Sequence, residues 1–206
     1  MKIMLSHRCV TLKQSGKILF GTVVFLLCAS AQTPSNDDCA KDNENLVCCF
    51  VNTPSVLNHI ISIADRNEPG ERMHIKGTVL RSDGKAPYAN VILYAYQTNE
   101  KGIYPKRGNE VGIHKWHGYL HSWGRTNEKG EFEILSIRPA RYPTNSTPAH
   151  IHIVVKEPNG KIYYVNDIMF ADDRLVRNKK EDGVIVVKKN AIGVWEGKRI
   201  IVLQNK

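Results

Sequence analysis

The chain has 206 residues, a formal net charge of +9 at pH 7 and a hydrophobic fraction of 42%. This length and composition supply enough apolar surface for one folded domain, which excludes a disordered or fibrous protein. The sequence contains no basic block interleaved with aromatic residues, so nucleic-acid binding is not expected.

The first 31 residues have the pattern of a secretory signal peptide. Residues 1–17 are basic and free of acids, 18–27 are almost wholly apolar, and Ala29-Ser30-Ala31 places small residues at alternate positions. We therefore predict an exported protein (periplasmic, outer-membrane-attached or secreted), cleaved after Ala31, with its net charge lowered to +5. Two alternatives stay open: an uncleaved anchor, and a membrane tether through a lipidated Cys28.

Residues 32–70 are predicted to form a linker and N-terminal arm. The stretch 32–45 is polar and turn-rich, whereas the apolar positions of 55–64 follow helical spacing and favour a short helix. In an oxidising compartment we expect one disulfide from Cys39 to either Cys48 or Cys49, with one thiol left over.

Residues 71–206 are predicted to form the folded domain, because their pattern changes to period two. Turn formers separate seven predicted strands, at 73–80, 90–97, 130–137, 150–155, 162–170, 183–188 and 199–203. Short strands without long helices between them predict a mainly β protein, an antiparallel β-sandwich with a short helical or irregular N-terminal arm. Residues 98–124 lack alternation but are rich in aromatic side chains and histidine, which is typical of a loop that carries a site.

His150 and His152 are the first candidate metal ligands. On an extended strand, residues two apart point to the same face, so both imidazoles are within reach of one ion. Histidines at this spacing are also common as packed, hydrogen-bonded core residues. Tyr142 adds a phenol eight positions upstream, in a loop that contains Pro139 and Pro143. This combination predicts a metal site around the strand 150–155.

The ordered motifs between residues 73 and 203 resemble the intradiol ring-cleavage dioxygenases. They are Gly77-Thr78-Val79, Asp83-Gly84-Lys85-Ala86-Pro87, Gly102-Ile103-Tyr104, Gly124-Arg125-Thr126, Ile137-Arg138-Pro139, Tyr142-Pro143 and Pro148-Ala149-His150-Ile151-His152. The resemblance implies an Fe(3+) ion held by Tyr104, Tyr142, His150 and His152, with Tyr142 and His150 as the axial pair. It also implies cleavage of a small aromatic diol with O2, in which Tyr142 accepts a proton from the diol.

The chain departs from that family at Thr147. Active members usually carry an arginine immediately before the Pro-Ala-His-x-His run, where its charge stabilises the developing anion. Replacement of that cation by a hydroxyl is expected to raise the barrier by about 3 kcal/mol. Arg125 and Arg141 are candidates to supply the charge instead.

A second hypothesis, from a different class, is a noncatalytic sandwich module that resembles transthyretin-like or carboxypeptidase-regulatory domains. Such a module shares the early glycine and proline turns but has no need of the tyrosine pair. Homodimerisation through the N-terminal arm also stays open. The irregular spacing of His114, His117 and His121 favours solvated or substrate-facing side chains over a second metal site.

Overall fold

A computed structural model describes residues 33–144 and 146–204. The predicted signal peptide and Cys28 lie outside the described residues. Three short helices occur in the described part: α1 (Asn36–Cys39), a 3-10 helix (Leu46–Phe50) and α2 (His114–His117). No described helix has the length and apolar character needed to cross a membrane.

The described residues form eleven strands, and alternation of buried and exposed side chains explains the longer ones. The strands are β1 (Ile60–Ser62), β2 (Arg72–Leu80), β3 (Ile92–Gln97), β4 (His121–Arg125), β5 (Glu131–Ile137), β6 (His150–Lys156), β7 (Ile162–Tyr164), β8 (Ile168–Phe170), β9 (Val184–Ile185), β10 (Val187–Lys189) and β11 (Trp195–Val202).

The strands build two sheets, which confirms the predicted mainly β sandwich. The first sheet has the order β1-β5-β2-β11-β10, and the second has the order β4-β3-β6-β8-β9 with β7 beside β6. Both sheets are mixed, because β1 pairs with β5, β11 with β2 and β8 with β9 in parallel. Alternation in a sequence reports the face of each side chain but not the direction of the neighbouring strand, so it could not have predicted these parallel pairs.

The main hydrophobic core combines residues from both sheets. Ile75 and Ile134 are opposite each other in the first sheet, and Ala95 and Ile153 are opposite each other in the second. All four are completely buried. Full burial of an isoleucine side chain stabilises a fold by about 1.5–3 kcal/mol, so this layer fixes the register of the strands.

The alternate residues of the second sheet form another cluster on its opposite face. Tyr94 is opposite Val154, and Tyr96 is opposite His152. The N-terminal arm covers this face with four buried residues of α1 and the 3-10 helix: Cys39, Cys48, Cys49 and Phe50. The covered face carries the histidines singled out in the sequence.

The predicted helix at 55–64 is wrong, because part of this segment joins the first sheet. β1 pairs in parallel with β5 and buries Ile61 and Ile63, while Ile60 and Ser62 are exposed. A strand buries both of these alternate isoleucines on one face. The alternation with a period of two therefore decides the structure of this segment, and the approximate helical spacing does not.

A disulfide joins Cys39 to Cys48 and fixes α1 to the 3-10 helix. Cys49 is the leftover thiol, and its burial raises its pKa to about 12. Trp123 of β4 donates from Nε1 to the carbonyl of Cys49 at 2.7 Å. The disulfide thus holds the two helices of the arm together, and the hydrogen bond from Trp123 attaches the arm to the second sheet.

Candidate metal centre

Strand β6 brings two imidazoles together on the covered face of the second sheet. The Nε2 atoms of His150 and His152 are 2.9 Å apart. His150 is buried and His152 is half-buried. The strand geometry expected for residues at i and i+2 therefore holds, and both rings turn the same nitrogen towards one point.

Two loops bring two phenols to that point. Tyr104 lies in the loop that follows β3, and Tyr142 in the loop between β5 and β6. The hydroxyl oxygen of Tyr104 is 2.6 Å from that of Tyr142 and 3.0 Å from Nε2 of His152. The Tyr142 oxygen is 3.2 Å from Nε2 of His150 and 3.3 Å from Nε2 of His152. The structure thus brings together all four predicted ligands.

The spacing of these four atoms fits a single metal ion. Bonds of about 2.0–2.1 Å to a common ion separate neighbouring donor atoms by about 2.8–3.4 Å. The separations of 2.6–3.3 Å between these donor atoms fall close to that range. Two phenol oxygens with two imidazole nitrogens form a donor set with hard, anionic oxygens, which favours a trivalent ion such as Fe(3+).

Burial shifts the pKa values of Tyr104, Tyr142 and His150. Burial and the hydrogen bond with Tyr142 raise the pKa of Tyr104 well above its ordinary value, and burial also raises the pKa of Tyr142. Burial and the neighbouring His152 lower the pKa of His150. The imidazole of His150 is therefore neutral at pH 7, with a lone pair to donate, and a cation at the centre would favour ionisation of the phenols.

Hydrogen bonds behind the imidazoles fix their orientation. His150 donates from Nδ1 to the carbonyl of Pro148 at 2.6 Å, and His152 donates from Nδ1 to Oδ1 of Asp167 at 3.0 Å. Asp167 lies within 4.8 Å of ligand atoms of both histidines. Because it binds the nitrogen of His152 that faces away from the tyrosines, it orients the ring and does not join the four donors.

Asp173 connects the loop that carries Tyr142 to the strand that carries His150. Its carboxylate accepts hydrogen bonds from Nε of Arg141 and from the backbone N–H of Ala149, each at 2.9 Å. The Asp173 side chain is buried. A buried carboxylate with several donors holds its neighbours in one arrangement, so Asp173 sets the spacing between two predicted ligands.

The structure leaves Arg125 away from the four donor atoms. Arg125 is opposite Ile92 on β3, whereas His152 is opposite Tyr96. Four residues along a strand correspond to roughly 13 Å. Thr147 is half-buried in the loop before β6. Of these two predicted catalytic residues, only Thr147 lies on the segment that joins Tyr142 to His150.

The histidines of the loop 98–120 pack behind the centre. The ring of Tyr96 stacks on two imidazoles. Its centroid is 4.5 Å from that of His152 and 3.7 Å from that of His117. His114 and His117 are buried, so the expectation that they are solvated or face substrate is wrong. Aromatic stacking on Tyr94 and Tyr96 removes both rings from water.

Sequence reasoning missed Asp167 and the role of Asp173. Asp167 follows a short strand and carries no motif, and Asp173 lies shortly after β8 and carries none either. The hydrogen bonds that reveal them cross 15 and 24 residues of chain. A local pattern gave no signal for either contact.

Comparison with known proteins adds a family and a fold. A family profile described as Dioxygenase matches residues 48–196. A search of curated proteins found no match.

Solved structures of similar fold include several dioxygenases, and three of them are compared with this chain. The dioxygenase domain of a carbohydrate-binding fusion protein from Streptomyces sp. SirexAA-E is 19% identical, with a TM-score of 0.58, over 73% of this chain and 91% of that one. The 3-chlorocatechol 1,2-dioxygenase of Rhodococcus opacus 1CP is 20% identical (TM-score 0.56, 73% and 68% covered). The catechol 1,2-dioxygenase of Pseudomonas arvilla C-1 is 19% identical (TM-score 0.57, 75% and 58% covered). At these identities the likeness concerns the fold.

Proposed function

Because this chain belongs to the intradiol ring-cleavage dioxygenase family, we propose that it binds one Fe(3+) ion and cleaves a catechol or a related aromatic diol with O2. The observation that carries the proposal is the convergence of the Tyr104 and Tyr142 oxygens with the Nε2 atoms of His150 and His152. A noncatalytic sandwich module gives no reason for two phenols to meet two imidazoles.

Each ligand residue has a defined part in the proposed reaction. Ferric iron, when bound, supplies Lewis acidity towards the oxygens of the diol. Tyr104, His150 and His152 would hold the ion, and their hydrogen bonds within the fold keep them in place. Tyr142 would hold the ion and would also accept a proton from the diol, because its oxygen is a basic group once ionised.

The aromatic cluster behind the centre would exclude water from one side of the reaction. Tyr96 covers His152, and His117 covers Tyr96. Tyr164 lies at the edge of this cluster: its hydroxyl is 3.1 Å from that of Tyr96, and its side chain is partly exposed.

Export is part of the proposal. The disulfide between Cys39 and Cys48 supports it, because structural disulfides are typical of oxidising compartments. A tether through Cys28 and a homodimer formed through the N-terminal arm stay predictions, and the mature N-terminus and the solution mass would test them.

Iron loading tests the proposed function. We expect the protein, loaded with ferrous iron in air, to hold one iron per chain and to become burgundy through tyrosinate-to-iron charge transfer. It should consume O2 with at least one member of a catechol panel. Tyr104→Phe and Tyr142→Phe should each weaken and shift the colour, because one tyrosinate remains, whereas Tyr163→Phe, whose hydroxyl binds Glu157, should keep it unchanged. A colourless wild-type preparation without bound iron would favour the noncatalytic module.

A further inference from the structure

We propose that the substrate is a diol whose ring substituent is neutral or cationic, and that Asp167 disfavours a diol with a ring carboxylate. This inference rests on the proposed function and narrows its substrate class. It arises from the charges that the fold places around the four donor atoms.

Asp167 is the charged residue at the centre. Among residues 33–144 and 146–204, it is the one charged side chain that a hydrogen bond joins to Tyr104, Tyr142, His150 or His152. Its carboxylate is within 4.8 Å of ligand atoms of both histidines, and its side chain is 31% exposed. When Nε2 of His152 donates its lone pair, the imidazole is neutral. The negative charge of Asp167 then has no cationic partner in this pair.

The neighbouring arginines are already paired. Arg141 is held by both oxygens of Asp173, at 2.9 Å each, and Arg138 is held by Asp172 at 2.7 Å. Thr147, in the segment that leads to His150, carries no charge. A carboxylate on the incoming ring would therefore meet the negative charge of Asp167, while the two arginines nearest in sequence to Tyr142 are neutralised.

The expected discrimination is large enough to measure. Two like charges about 7 Å apart, in a medium with an effective dielectric constant of about 20, repel strongly enough to weaken binding more than tenfold. The same field would strengthen the binding of a cationic substituent. Affinity should therefore follow the charge of the substituent in a fixed order.

Anaerobic binding tests this order without turnover. The probes are dopamine, 4-methylcatechol and 3,4-dihydroxybenzoate, whose substituents are cationic, neutral and anionic. Each would be titrated into the iron-loaded protein without O2, and the shift of the charge-transfer band would give the dissociation constant. We expect 3,4-dihydroxybenzoate to bind at least tenfold more weakly than 4-methylcatechol, and dopamine to bind at least as tightly as 4-methylcatechol. Added salt should reduce the difference.

Asp167→Asn isolates the charge, because the amide oxygen still accepts the hydrogen bond from His152. The variant should retain the band and reduce the preference for 4-methylcatechol over 3,4-dihydroxybenzoate at least fivefold. Asp83→Asn, which removes an exposed carboxylate in the turn between β2 and β3, should leave the preference unchanged.

The wild-type titration is decisive even if Asp167→Asn does not fold. A protein that shows the band but binds 3,4-dihydroxybenzoate as tightly as 4-methylcatechol overturns this inference and leaves the proposed function in place. An unchanged preference in a folded, coloured Asp167→Asn variant also overturns it. A protein with no band and no iron overturns the proposed function together with this inference.

Discussion

Both carboxylate oxygens of Asp173 lie 2.9 Å from Nε of Arg141, the residue that precedes Tyr142. The same carboxylate accepts the N–H of Ala149, the residue that precedes His150. One buried side chain thus holds the neighbours of two candidate ligands, and a change in it should move the ligands relative to each other.

We predict that Asp173→Asn weakens iron binding by roughly tenfold, since the loss of a residue that orients ligands commonly has an effect of that size. Competition with a chelator would measure the affinity, and the position of the charge-transfer band would report the geometry. Asp172→Asn is the matched control, because its carboxylate lies next in sequence but pairs with Arg138 at a half-exposed position. Equal iron affinity in the two variants would contradict a positioning role for Asp173.

Gly102 permits the close approach of the two loops that carry the tyrosines. Its φ is +78°, and a Cβ atom there would lie 1.8 Å from the carbonyl oxygen of Arg141. Gly102→Ala should therefore lower the free energy of unfolding by more than the roughly 1 kcal/mol that positive φ alone costs, and should reduce iron content. Gly84→Ala is the control, since Gly84 has a φ of +65° and nothing within 4 Å of its Cβ position. Urea unfolding of the two apoproteins would compare their stability, and iron analysis after loading would compare their iron content. Equal losses in the two variants would show that the loops can shift to accommodate a Cβ atom at residue 102.

His117 should make the fold sensitive to acid. Burial lowers its pKa to about 3, below the ordinary value of 6.5. A depressed histidine pKa contributes stability that is fully present above pH 6.5 and declines as the pH falls, because the unfolded chain binds the proton first. The slope from one such group is at most about 1.4 kcal/mol per pH unit. Urea unfolding of the apoprotein between pH 7 and pH 4 should show a shallower decline for His117→Gln than for wild type, and parallel declines would contradict the assignment.

Thr147→Arg should raise the turnover of simple catechols. Residue 147 lies between Tyr142 and His150 in sequence, so an arginine there would add a cation close to the ring on which negative charge develops. Electrostatic stabilisation of that kind raises the rate by about tenfold or more. Thr144→Arg places the same charge at an exposed position of the same loop and should have little effect. Oxygen uptake at matched iron content is the measurement, and an unchanged or lower rate for Thr147→Arg would show that the missing arginine does not limit turnover.

The parts of the centre differ in how well the sequence alone predicts them. His150 and His152 follow from strand periodicity, which depends only on local geometry. Tyr104 and Tyr142 lie in loops without a repeating pattern, and only their place in the ordered motifs marked them. Asp167 reaches His152 across 15 residues, and that contact depends on the pairing of β6 with β8.

The same limit applies to the fold. Short alternating runs predicted most strands and the sandwich, because burial on one face has a local signature. The helix expected at 55–64 was wrong because Ile61 and Ile63 gain their burial from β5, more than 60 residues away in the chain. The sequence of residues 55–64 by itself carries no signal of such a parallel partner.

The position of β11 in the first sheet determines when, during synthesis, that sheet can be completed. Residues 195–202 are inserted between β2 and β10, and β11 pairs with β2 over its full length. The peptide groups along that edge of β2 therefore stay without their sheet partner until residues 195–202 have been synthesised. A nascent chain would present an open strand edge during this interval, which is the period when protection by a chaperone matters most.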